Sequence, residues 1–99
     1  MSSTTSVAVV TGAAQGIGRA VSETLAAEGR ALVLVDVREP MDTLASVREL
    51  GAPDAVAVVG DVSSDADVER VAAAARERFG RVDVLVNNAG ISSIVPAEE

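Results

Sequence analysis

Four short runs, residues 7–11, 31–36, 55–60 and 83–87, are almost continuously apolar and rich in β-branched side chains. Runs of this length without polar alternation predict parallel strands covered on both faces. Between them the apolar period turns helical. Ile17, Ala20, Val21, Thr24 and Leu25 form one stripe at helical spacing, and Val68, Val71, Ala72, Ala75 and Phe79 form another. A third, weaker helix is expected over 41–50, with Pro40 near its start and Leu44 and Val47 inward. Gly29, Gly51 and Gly80 sit where a left-handed residue closes each helix, and Ser64 with Asp67 resembles a variant capping box.

The order is therefore β-α-β-α-β-α-β, which puts the chain in the α/β class. Parallel strands joined by right-handed helical crossovers make a doubly wound sheet, here with expected strand order 3-2-1-4. Such a sheet opens a crevice between the ends of the first and fourth strands. At 99 residues the chain holds one domain, 1–99, with a modest core. The apolar content of 48% comes mostly from Ala and Val, with Phe79 the single aromatic, and small side chains suit thin, closely packed layers.

Charge and composition narrow the chemistry. All eight basic residues are Arg, and the formal charge of −7 leaves no basic patch for nucleic acid. Without Cys or His there is no disulfide, thiolate or imidazole chemistry, and the carboxylates do not cluster at metal-ligand spacing. The Ser/Thr-rich N-terminus lacks a basic, apolar leader pattern, and no run approaches a membrane span, so the cytoplasm is the expected location and no membrane partner is expected.

The first strand runs into Thr11-Gly12-Ala13-Ala14-Gln15-Gly16-Ile17-Gly18. Three glycines at a strand-to-helix turn suit a pyrophosphate: Gly12 for the turn, Gly16 for close approach of backbone to phosphate, and Gly18 for tight packing of helix on strand. Asp36 closes the second strand eighteen residues beyond Gly18, near the spacing at which a carboxylate meets the adenosine ribose. A solvated loop residue is the plainer alternative. Asp61, followed by Val62, closes the third strand where it could accept from an adenine amine, although Asp before a helix also serves turns and caps. Asn87-Asn88-Ala89-Gly90 ends the fourth strand across the crevice, either as a plain turn or with Asn side chains that tie loop backbone together and border the second ribose, Ala89 and Gly90 leaving room for it.

The glycine spacing, Asp61 and Asn87-Asn88-Ala89-Gly90, in this order over roughly residues 7–91, resemble the short-chain dehydrogenase/reductase family. The resemblance implies a Rossmann-type sheet, a nicotinamide dinucleotide cofactor and interconversion of an alcohol and a ketone. It assigns the phosphate loop to Gly12, Gln15, Gly16, Ile17 and Gly18, the ribose contact to Asp36, the adenine contacts to Asp61 and Val62, and the fourth-strand contacts to Asn87, Ala89 and Gly90. Asp36, with neutral Gln15 and Val37 where NADP-binding relatives usually place a basic residue, implies NAD in preference to NADP.

One departure stands out. The family's chemistry uses a Tyr and a Lys four residues apart, and this chain contains neither. Ser92 and Ser93 come too early to be the family's catalytic Ser. The expected reading is the cofactor-binding part of an oxidoreductase, inactive alone, with a substrate only in the complete enzyme. A non-catalytic NAD-binding module and an inert truncation product are the alternatives. The fourth strand is expected to be an open edge at which copies associate into a homo-oligomer.

Overall fold

A computed structural model describes residues 5–88. The apolar runs become strands and the amphipathic stretches helices, in the order β1 (Val7–Thr11), α1 (Gly16–Ala27), β2 (Ala31–Asp36), α2 (Met41–Leu50), β3 (Ala55–Val59), α3 (Asp65–Phe79) and β4 (Val84–Asn87). All pairings are parallel and the strand order is β3-β2-β1-β4, as expected. Thr11 lies opposite Val35 on one side and Asn87 on the other, so the C-terminal ends of the central strands meet at one rim.

Alternation along the strands builds the layers. Ala8, Val10, Leu32 and Leu34 face Ala26 of α1 and Leu44 and Val47 of α2. Val9, Val33 and Val35 face Val71 and Ala75 of α3. Leu32 and Leu34 are fully buried, and truncating either to alanine costs about 2–5 kcal/mol in cores of this kind.

Three details depart from the sequence expectation. Helix α1 buries Gly18, Ser22 and Ala26, while Ile17, Ala20 and Thr24 of the expected stripe are exposed and Val21 and Leu25 sit at the border. The helix turns its smallest residues inward because that row permits the closest approach, and the Ser22 hydroxyl donates to the Gly18 carbonyl at 2.7 Å instead of entering the core unbonded. Strands β3 and β4 are each one residue shorter than expected, and as the outer strands of the described sheet they are only partly covered, with Leu85 66% exposed. The capping box is half formed. Ser64 accepts from the Asp67 N–H at 3.3 Å, but the Asp67 carboxylate takes the Asp61 N–H at 2.8 Å and so fastens the β3–α3 loop.

Carboxylate bonds of this kind set the pH response. Hydrogen bonds from Arg81 and from the Val7 N–H lower the Asp83 pKa, Arg78 lowers that of Asp54, and the Asp61 N–H lowers that of Asp67. A carboxylate with a lowered folded-state pKa adds stability above its unfolded value and loses it as pH falls through the folded value. With no histidine in the chain, the melting temperature should be nearly flat between about pH 5 and 8 and fall below about pH 4. A thermal denaturation series across pH checks this, and a transition centred near pH 6 would contradict it.

Candidate functional site

At the rim, β1 hands the chain to α1 through Gly12–Gln15. Gly12 and Gly16 adopt φ of +66° and +61°, conformations that L side chains rarely take. A Cβ on Gly16 would meet nothing within 4 Å, so that side of the loop is open. Gly18 is constrained differently from the expectation. Its added Cβ would lie 1.8 Å from the Gly12 carbonyl oxygen and 2.9 Å from the Asn88 amide nitrogen, so the close approach is to the loop and the β4 end rather than to the strand alone.

The loop's carbonyls all meet donors on the protein side. Gly12 O accepts from Asn88 Nδ2 at 3.4 Å, Ala13 O and Ala14 O accept from Thr43 Oγ1 at 2.8 and 3.3 Å, and Gln15 O accepts from the Arg19 N–H at 3.4 Å. The Ala13 N–H donates to Val35 O at 3.0 Å. The first turn of α1 then presents N–H groups that have no acceptor within the helix. Its N-cap Gln15 makes no side-chain cap and its first turn holds no acidic residue, whereas α3 has both the Ser64 cap and Asp65 and Asp67. The N-terminus of α3 is closed by its own side chains and that of α1 is not.

Asp36, half-buried at the end of β2, stands beside this loop. Its Oδ2 accepts from the Ala14 N–H at 2.8 Å and its Oδ1 from the Arg38 N–H at 3.3 Å. A carboxylate offers about four acceptor positions, so two hydroxyls can still be received. Asp61 is exposed, and its Oδ1 accepts from the Ser63 N–H at 2.9 Å and the Ser63 hydroxyl at 2.7 Å, which lowers its pKa. Turn chemistry thus occupies one oxygen of Asp61. Gly12, Asp36, Val37, Asp61 and Val62 line a cleft of about 330 Å³.

Across the rim, Thr11 joins β1 to the end of β4. Its hydroxyl donates toward Asn87 Oδ1 at 3.1 Å and Val86 O at 3.3 Å and accepts from the Asn88 N–H at 2.9 Å. Asn87 is exposed at the rim, while Asn88 holds the Gly12 end of the glycine loop. Ala89 and Gly90 lie outside the described residues. A larger cavity of about 540 Å³ between α3 and β4, lined by Val9, Val62, Val68, Val71, Val82 and Leu85 among others, is mainly apolar. Its lining includes Thr11, Ser63 and Asn87 but nothing of the glycine loop, whereas the smaller cleft holds Gly12 with the two carboxylates Asp36 and Asp61.

Of the expected residues, Gly12, Asp36, Asp61 and Val62 line one cleft, Asn87 lines the larger cavity with Val62, and Gln15, Gly16, Ile17 and Gly18 line neither. Thr11 and Thr43 were not among the expected site residues, whereas the Asn pair was expected to tie loop backbone together, and Asn88 does so at the Gly12 carbonyl. Thr43 had a faint signal, since it shares the inward face of α2 four residues before Val47.

An open glycine loop at the end of β1, an uncapped helix behind it and a carboxylate at the end of β2 define a dinucleotide-binding α/β domain. The family model for short chain dehydrogenase matches residues 6–99, and the chain belongs to that family. It is 51% identical over 84 residues to 1,6-dihydroxycyclohexa-2,4-diene-1-carboxylate dehydrogenase of Pseudomonas putida, covering 85% of this chain and 31% of that protein. It is 44% identical over 95 residues to 11-beta-hydroxysteroid dehydrogenase A of Sesamum indicum, covering 94% of this chain and 27% of the relative. Among solved structures, a short chain dehydrogenase/reductase from Burkholderia phymatum in complex with NAD superposes with a TM-score of 0.76 at 44% identity, over 82% of this chain and 29% of the other. The 3-oxoacyl-[acyl-carrier protein] reductase from Brucella melitensis, also in complex with NAD, gives 0.81 at 34% identity, over 90% and 35%. The chain spans about a third of the length of these proteins.

Proposed function

We propose that this chain is the NAD(H)-binding domain of an oxidoreductase that interconverts an alcohol and a ketone. The observation that carries the proposal is the N-terminus of α1, with no side-chain cap, no acidic first turn and open space at Gly16, standing beside the Asp36 carboxylate. Backbone N–H groups of Gln15, Gly16, Ile17 and Gly18 receive the pyrophosphate, and Asp36 receives the adenosine ribose hydroxyls. Asp61 and Val62 border the adenine, and Asn87, Ala89 and Gly90 border the nicotinamide riboside. NAD rather than NADP is the cofactor, because Asp36 repels a 2′-phosphate. When bound, the nicotinamide supplies the hydride acceptor or donor. The chain's own part is to bind and orient it, since the single domain 1–99 has no Tyr or Lys to hand a proton to a carbonyl oxygen.

Calorimetric titration of the purified chain with NAD, followed by an assay of NADH oxidation against a ketone panel, tests the proposal. Binding without turnover is expected. No binding would overturn it, and enzyme-like turnover by the chain alone would overturn the division of labour it assumes.

A further inference from the structure

Resting on the NAD-binding reading, we infer that Thr43 of α2 is a positioning residue for the pyrophosphate loop, acting from behind it and touching no part of the ligand. A loop that binds an anion must offer N–H groups and keep its carbonyl dipoles turned away. Between Gly12 and Gln15 that requirement falls on four carbonyls in a row. The Gly12 and Gln15 carbonyls are held by Asn88 and by the next turn of α1, but those of Ala13 and Ala14 share one donor, the Thr43 hydroxyl, at 2.8 and 3.3 Å.

Thr43 is fully buried, as is Ala13, so no water replaces a lost bond there without a rearrangement. The peptide between Ala13 and Ala14 is also held from its other end, where the Ala14 N–H donates to Asp36 at 2.8 Å. Its carbonyl side is fixed by Thr43 and its N–H side by the ribose-binding carboxylate. Removing the hydroxyl leaves the Ala13–Ala14 peptide tethered by Asp36 but releases the next one, between Ala14 and Gln15, which can then turn the Ala14 carbonyl toward the phosphates and the Gln15 N–H away from them. The adenosine end of the cleft, formed by Asp36, Val37, Asp61 and Val62, keeps its walls. Thr43 therefore governs affinity for the diphosphate and leaves affinity for the nucleoside.

The experiment compares adenosine, ADP and NAD binding by calorimetry for the unmodified chain, Thr43→Val and Thr43→Ser. Thr43→Val keeps the shape and removes the donor, so ADP and NAD should weaken about tenfold while adenosine changes less than twofold. Thr43→Ser keeps the donor and should restore ADP affinity to within about threefold of the unmodified chain. Equal losses for adenosine and ADP, or a Ser variant as weak as the Val variant, would overturn the inference. If Thr43→Val does not fold, the Ser variant decides alone, with normal ADP affinity supporting the hydroxyl and a selective ADP loss contradicting it. An unmodified chain that binds none of the three ligands would instead overturn the NAD-binding reading itself.

Discussion

Replacing Gly18 by alanine should reduce NAD affinity by about a hundredfold or more, a loss of the order that follows when binding groups shift by about an ångström. The methyl carbon would sit 1.8 Å from the Gly12 carbonyl oxygen and 2.6 Å from its carbon, both backbone atoms that no rotamer change can move aside. Either the glycine loop or the start of α1 must retreat, and both carry the proposed phosphate donors. Stability should fall as well, by roughly 1–3 kcal/mol for an overpacked site. Gly29→Ala is the matched control. It strains a φ of +86° but meets nothing within 4 Å and lies at the other end of α1, so it should cost stability without altering NAD affinity. Melting curves and NAD titrations of both variants separate the two effects, and a Gly18→Ala chain with unchanged affinity would contradict the close approach.

NAD should bind at least about a hundredfold more tightly than NADP. Two unit charges about 4–5 Å apart repel by roughly 3–4 kcal/mol at an effective dielectric of 20, and a 2′-phosphate on the ribose would face the Asp36 carboxylate at that scale. Partial solvent exposure of Asp36 and salt screening bring the figure down toward the hundredfold given. Asp36→Ser removes the repulsion and leaves the exposed Arg38 two positions on as a counter-charge, so NADP affinity should rise. The same substitution should weaken NAD more than the loss of ribose bonds alone, because it also releases the Ala14 N–H. Equal binding of both cofactors by the unmodified chain, or no gain in NADP affinity for the variant, would contradict the assignment.

Strand positions, their order and the helix ends were legible because each rests on local chemistry. Continuous β-branched runs, glycines at helix ends and a glycine-rich strand-to-helix turn are all contiguous in sequence. The inward face of α1 was not legible by the same rule. Its buried row is Gly18, Ser22 and Ala26, which a hydrophobic stripe cannot mark because close packing selects small side chains over apolar ones. Bracing by the Asn pair at the end of β4 was legible, but the carbonyl it reaches and the part played by Thr43 were hidden for another reason. Thr43 reaches Ala13 across 30 residues, and Asn88 reaches Gly12 across 76. The partners of such hydroxyl-to-carbonyl and amide-to-carbonyl bonds depend on which rim the topology assembles. Asp61 carried two expectations at once, and its bonds to Ser63 show the turn role in place while its other oxygen faces no such partner among the bonds described.

The central claim is that the crevice at the glycine loop binds NAD, and amide chemical shifts of the isotopically labelled chain during an NAD titration test it most directly. The account predicts saturable shifts at Gln15, Gly16, Ile17 and Gly18 and at Asp61 and Val62, with Gly29 and Leu50 unmoved. Shifts confined to the apolar cavity at Val68, Val71 and Leu85, or none at millimolar NAD, would contradict it.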